Sequence, residues 1–303
     1  MTRYAIRHET RYAYGAPVDL SFHLLRLTPP NNKRQALLAH ALEVEPQPAR
    51  IGTFHDHFGN AVHHVAIESV HEALSVTVEA QVDIKPAADP LLADGPDWEA
   101  VRAAVMDDGF PARPRIAEFV YASPLAPPEP GAVAYARESF PAGRPIVEGL
   151  CDLTRRIRQD FAYKPGSTDV TTPIAQVMAE RRGVCQDFAH AMIAGLRGLG
   201  LPTRYVSGYI RTYPPQDRTA WRGADASHAW VSSWCGTELG WIGFDPTNNL
   251  VVDDEHISIA HGRDFSDVTP LRGVILGGGA HALEVAVTVT PLDAAERVRP
   301  KAS

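Results

Sequence analysis

From Val76 to Ile84 the chain places an apolar residue at every second position: Val76, Val78, Ala80, Val82 and Ile84. A period of two belongs to a strand with one buried face. Between Val184 and Leu199 the spacing changes. Val184, Phe188, Met192, Leu196 and Leu199 recur three or four residues apart, which marks a helix with one apolar stripe. The two patterns occupy separate blocks, so the expected architecture is α+β, with strands and helices segregated rather than alternating.

Residues 1–85 read as a β-rich, sandwich-like domain. Strands are expected at Ala5–Tyr14, Leu20–Leu27, Ala36–Val44, Ala61–Ile67 and Ala73–Ile84, with Asp56-His57-Phe58-Gly59-Asn60 as a turn. Residues 86–145 are rich in proline, with short helical candidates at Trp98–Met106 and Ile116–Tyr121, and read as a connecting segment. Residues 146–265 form the expected core. Helices at Ile146–Phe161, Pro173–Arg181 and Val184–Leu199 precede strands at Thr203–Thr212, His228–Cys235 and Gly240–Asp245. Residues 266–303 hold a strand with Leu283, Val285, Val287 and Val289 in alternation, placed to return to the first sheet.

Composition narrows the function classes. The 303 residues are 45% hydrophobic and 21% charged, ordinary for a globular protein, and the net charge of -7 argues against a nucleic-acid surface. Arg155, Arg156 and Arg158 are expected on a solvated helix face. No apolar run is long enough for a bilayer and no leader is evident at the start, so the expected location is the cytoplasm. Cys151, Cys185 and Cys235 form no CxxC, which speaks against zinc or a disulfide framework. His55, His57, His63 and His64 lie close together but read as exposed hairpin histidines. No metal or cofactor is expected.

Three short segments carry the chemistry. Cys185 opens a predicted helix, where unpaired N–H groups and the dipole favour a thiolate and offer an oxyanion hole. His228 opens a strand, within reach of a proton from that thiol. Asp245 ends the next strand and can orient the imidazole. Each alone has a bland reading: a buried thiol, a structural histidine, a turn aspartate. Together they supply nucleophile, base and orienter for one cleft.

The segments Arg182-Gly183-Val184-Cys185-Gln186-Asp187-Phe188-Ala189-His190, Pro202–Tyr209, His228-Ala229-Trp230 and Gly243-Phe244-Asp245-Pro246-Thr247 resemble the bacterial transglutaminase-like family. Tyr12-Ala13-Tyr14, His23–Leu27 and Asp56–Asn60 resemble the β-rich N-terminal region of that family. The resemblance implies a papain-like core with Cys185, His228 and Asp245 as the triad. It also implies acyl transfer on a protein, peptide or small amide substrate, by hydrolysis or by transfer to an amine. The zinc motifs of the deglycosylating branch are missing, and no counterpart of the animal enzymes' calcium sites can be placed. A silent binding or scaffolding protein on the same fold is the alternative. An arylamine acetyltransferase shares the triad order but not these motifs.

Four further residues are candidates. The Gln186 N–H is placed to help the oxyanion hole. Asp187 is expected to reinforce the helix start rather than react, although His190 lies three residues on. Tyr163 has a support role near the cleft, with core packing as its bland reading. Trp230, on a strand face shared with Trp234, is expected to wall the substrate cleft.

Overall fold

The computed structural model describes residues 1–86, 95–107, 113–213 and 227–292. Part of the connecting segment, including Pro111, and the tail beyond Leu292 lie outside the described residues.

Five strands open the chain: β1 (Thr2–Leu25), β2 (Gln35–Glu45), β3 (Arg50–His55), β4 (Ala61–Ile67) and β5 (His71–Ile84). Two strands, Ala5–Tyr14 and Leu20–Leu27, were expected where β1 runs unbroken. Instead β1 shifts register between Ala13 and Val18 and changes partners. Its first half lies between β5 and β14 (His281–Pro291), and its second half between β4 and β13 (Leu271–Gly277). One seven-stranded sheet results, ordered β2-β5-β1-β4-β3, with β13 and β14 also on β1. One apolar cluster, including Ile6, Leu25, Ile67, Val78 and Val289, draws on both halves. The β3–β4 turn is fixed by Asp56, whose Oδ1 accepts the N–H groups of Phe58 and Asn60 at 3.0 Å each, and by Gly59 at φ +85°.

The connecting segment holds α1 (Trp98–Met106), α2 (Arg113–Ala117) running into a 3-10 turn (Glu118–Val120), and α3 (Pro130–Arg137). The last was hidden by its prolines, yet Pro130 stands in the first turn, where its missing N–H costs nothing. Next come α4 (Ile146–Asp160), β6 (Ala162–Tyr163), α5 (Ile174–Glu180), β7 (Arg182–Gly183) and α6 (Cys185–Gly198). The core sheet follows: β8 (Thr203–Ile210), β9 (His228–Trp234), β10 (Trp241–Asp245), β11 (Leu250–Val251) and β12 (His256–Gly262), ordered β11-β10-β9-β8-β12. A short α7 (Phe265–Val268) leads to β13. Helix α6 packs against β8 and β9 in the larger apolar cluster, with Phe188, Met192, Leu196, Tyr205 and Val231 at its heart.

Strand β12 is the edge of this sheet and joins it to the first. Gln35 clamps Ser258 with two hydrogen bonds, Nε2 to the carbonyl at 2.9 Å and Oε1 from the N–H at 3.0 Å. Asn60 does the same to His261, at 2.8 and 2.9 Å. Two side-chain amides thus satisfy an otherwise open sheet edge. Not every basic residue of α4 is solvated as expected. The Arg156 guanidinium lies 4.2 Å from the Tyr135 ring centre and donates to the Tyr135 carbonyl, because α3 covers that side of the helix.

Candidate active site

Val184 is extended, and α6 begins at Cys185. The turn is locked by Asp187, whose Oδ2 accepts the Val184 N–H at 2.7 Å and the Thr168 hydroxyl at 2.7 Å. This is one half of a capping box. Burial pushes the Asp187 carboxyl up, and these hydrogen bonds offset part of that. A Cβ on Gly183 would sit 2.6 Å from the same Oδ2, so the residue before the cap has room for no side chain. Asp187 and His190 do not pair. His190 Nε2 accepts the Phe265 N–H at 3.2 Å, and burial drops its pKa to about 4.

Cys185 is half-buried at the helix start, and Gln186 follows it, also half-buried. As the first helical residues, their N–H groups have no acceptor within the helix. Tyr163 lies beside this start, because β6 pairs with β7 at Gly183. Its ring meets Phe188 edge-on at 6.4 Å, so it packs on the helix that carries the thiol.

His228 opens β9 and is 1% exposed. Its Nε2–H donates to Asp245 Oδ2 at 2.8 Å, with both side chains wholly buried. Nδ1 has no hydrogen-bond partner of its own, and the Cys185 thiol stands by the ring. Burial alone would lower the imidazole's proton affinity. Asp245, with the nearby Cys185 thiol, outweighs it and holds the pKa up at about 10. Burial likewise opposes ionisation of Asp245, but His228 and His256 keep its carboxyl well below the usual range.

Asp245 is saturated with donors. Oδ1 accepts the N–H groups of Thr247 at 2.9 Å and Asn248 at 3.2 Å. Oδ2 accepts His228, the Asn248 side-chain amide at 2.8 Å, and Nε2–H of His256 at 3.2 Å. The Asp-Pro-Thr-Asn turn is thus a carboxylate cradle, as well as the end of a strand. His256 was not anticipated from the sequence. The alternation of Ile257 and Ile259 was available as a strand signal, but nothing linked its first residue to Asp245. His228, Asp245 and His256 each turn a potential ligand atom into a space 4.8 Å across. Their mutual hydrogen bonds account for that convergence, with both Nε2–H groups directed at the carboxylate.

Trp230 is a correction. At 1% exposure it offers no surface to a substrate. Its indole lies behind the site, 6.0 Å from the His228 ring and 5.3 Å, edge-on, from His256. Gly208 makes this possible, since a Cβ there would come within 2.4 Å of the indole and 2.2 Å of the Ile257 carbonyl. Trp234, further along β9, packs on Trp241 at 5.7 Å instead. The N-terminal histidines make other contacts. His63 bonds the hydroxyls of Thr28 and Thr53, each at 2.9 Å, and His57 pairs with Glu118 at 2.7 Å.

A helix that opens on cysteine, packed on an antiparallel sheet that buries a His–Asp pair, defines a papain-like α+β core. Residues 135–246 match the transglutaminase-like superfamily, and residues 4–83 match the bacterial transglutaminase-like N-terminal region. A Mycobacterium tuberculosis protein is 40% identical over 300 residues, covering 96% of this chain and 93% of the relative. A Mycobacterium leprae protein is 32% identical, covering 96% and 100%. Neither relative's name assigns an activity. A protein-glutamine gamma-glutamyltransferase of Pseudomonas aeruginosa is 36% identical over 115 residues, which is 37% of this chain and 17% of that one. In fold, the chain is similar to a candidate cysteine protease from Cytophaga hutchinsonii, with TM-score 0.75 at 23% identity, over 96% of this chain and 91% of the other. The chain belongs to the transglutaminase-like superfamily, with the bacterial N-terminal region ahead of its core.

Proposed function

We propose that this protein is a cysteine-nucleophile acyl-transfer enzyme acting on a peptide or carboxamide bond, with Cys185, His228 and Asp245 as its reacting set. The observation that carries the reading is the His228 ring. One nitrogen is committed to a buried carboxylate at 2.8 Å, and the other has no partner of its own in a ring that faces the half-buried thiol of Cys185. A purely structural histidine has no need of such polarity.

The chemistry follows from the geometry. His228 Nδ1 takes the thiol proton, and Sγ bonds to the carbonyl carbon of the substrate. Charge moves to the carbonyl oxygen, where the helix-terminal N–H groups of Cys185 and Gln186 stabilise it. His228 returns the proton to the departing amine as the C–N bond breaks. Water, deprotonated by His228, then cleaves the thioester and regenerates the thiol. An amine in place of water would give transfer. Hydrolysis is the preferred outcome, because no acceptor-binding feature stands near Cys185 among the described residues. Asp245 holds the Nε2–H tautomer throughout. Asp187 and Tyr163 support the helix start.

The test is mass spectrometry of the protein after incubation with peptide pools and cell extract, together with iodoacetamide labelling at mildly acidic pH. A thioester on Cys185 and stoichiometric labelling of the native protein are expected. A native protein that labels only once denatured would overturn the reading in favour of a silent scaffold.

A further inference from the structure

We infer that His256 is a positioning residue that acts through Asp245, drawing carboxylate charge away from His228 so that its imidazolium can release the proton to the leaving amine. The inference rests on the reading of Cys185, His228 and Asp245 given above, and adds a fourth residue to it.

Three observations carry it. First, both imidazoles use Nε2 on the same oxygen, Oδ2 of Asp245, at 2.8 Å from His228 and 3.2 Å from His256. An oxygen that accepts several N–H groups divides its charge among them, and each bond is weaker than it would be alone. Second, His256 is built into place rather than placed by chance. Its side chain is 2% exposed, its ring packs edge-on against Trp230, and Gly208 leaves the space that the indole fills. Its backbone belongs to β12, which Gln35 clamps two residues further on. Third, a histidine is a costly residue for a merely structural role here, because its Nδ1 is buried and has no hydrogen-bond partner. A phenylalanine would pack against Trp230 without that orphaned atom. What the imidazole adds over phenylalanine is one N–H directed at Asp245.

The sign follows. An unshared Asp245 would bind the His228 proton more tightly. That favours the first proton transfer, from Cys185, and hinders the second, to the amine. A general acid works best when it holds its proton no more tightly than the step requires. Among the described residues, the charged and titratable groups in contact with His256 are Asp245, from the end of β10, and His228, from β9, with neutral Trp230 beside them and Asn248 sharing Asp245 Oδ2. Among the described residues, Asp245 Oδ2 is the atom that joins the two imidazoles by hydrogen bonds.

The test replaces His256 in the full chain by phenylalanine and by glutamine, and follows the imidazole of His228 by NMR across the alkaline range. Iodoacetamide labelling of Cys185 is measured beside it. In His256→Phe the His228 midpoint is expected to rise by at least about half a pH unit, since the lost hydrogen bond to a charged group is of that order. His256→Gln, which keeps an N–H at about the same reach, is expected to return it to the wild-type value. A residue that merely holds the fold would show the opposite sign, because a loosened Asp245 lets His228 fall back towards an ordinary imidazole. A midpoint that stays put or falls in a folded His256→Phe protein would overturn the inference. So would failure of His256→Gln to restore it. Failure of wild-type Cys185 to label would instead overturn the enzyme reading. The His228 midpoint is read separately, so the two failures are distinguishable.

Discussion

His8 in the N-terminal sheet and His228 in the core are buried to the same degree, each 1% exposed, yet they are driven to opposite states. His8 lies between two hydroxyls, Tyr209 at 2.7 Å and Thr10 at 2.8 Å, and burial takes its pKa down to about 4. His228 meets the same penalty but faces a carboxylate and a thiol, and its pKa is held up at about 10. Burial sets the cost of charge, and the partner decides whether it is met. One imidazole is a neutral joint between sheets, and the other is held ready to keep a proton beside a carboxylate and a thiol.

Asp245→Asn should erase the difference. The new amide would aim donors at His228, His256 and the Asn248 amide, which are donors themselves. His228 should then titrate below the ordinary value, like His8, and iodoacetamide labelling at mildly acidic pH should drop at least about tenfold. Breaking a buried pair typically costs about 3–5 kcal/mol, and urea denaturation at pH 7 would read it. An Asp245→Asn protein as stable as wild type, with rapid labelling, would dissolve the contrast.

The positions of Cys185, His228 and Asp245 were legible because each has a local signature: a helix start just after Gly183, a strand start, a strand end before proline. The helices of the core were legible from their apolar spacing for the same reason. What stayed hidden was non-local. That β1 is one strand depends on partners from both ends of the chain, and no residue between Ala13 and Val18 announces it. His256 bonds a carboxylate 11 positions away, and its own neighbours say only that a strand begins. Trp230 was placed on the correct strand but in the wrong environment, since its burial depends on Gly208 across the sheet.

Acid and base should unfold the molecule from different ends. His8 is held below its unfolded value of about 6.5, so its neutral form contributes stability in full above that value. That contribution is lost as pH falls from about 6.5 through 4, by about 3 kcal/mol for His8. His228 is raised instead. Its contribution is complete below about 6.5 and disappears as pH rises through about 10. Asp245 is depressed, so its contribution is present above about 3.8 and survives until strong acid. Hydrogen exchange across pH should show the β9–β10 region loosening first in alkali, while acid loosens the N-terminal sheet around His8 together with the core around His190. His8→Phe isolates the N-terminal share of the acid loss. It orphans the buried Tyr209 hydroxyl at a cost of about 1–3 kcal/mol at pH 7, flattens the acid slope, and leaves labelling of Cys185 unchanged.

The smallest effect is the most pointed, because it asks whether the two regions are coupled. Gln35 belongs to the N-terminal sheet, but both its amide atoms reach Ser258 in β12, and Nε2 donates to the Pro30 carbonyl as well. Gln35→Ala would hand that N–H and carbonyl to water, for a loss of about 1–2 kcal/mol. If the clamp only ties two sheets together, the loss in urea denaturation is the whole result, and His228 titrates as before. If it also sets the height of β12 against Asp245, His256 moves away from Oδ2 and the His228 midpoint rises, in the same direction as in His256→Phe but by less. We expect the second outcome. Ser258 is two residues from His256, and an edge strand freed at one clamp relaxes first around it. An unchanged midpoint with the full stability loss would leave His256 to be held by Trp230 alone, and would confine the N-terminal sheet to a structural part.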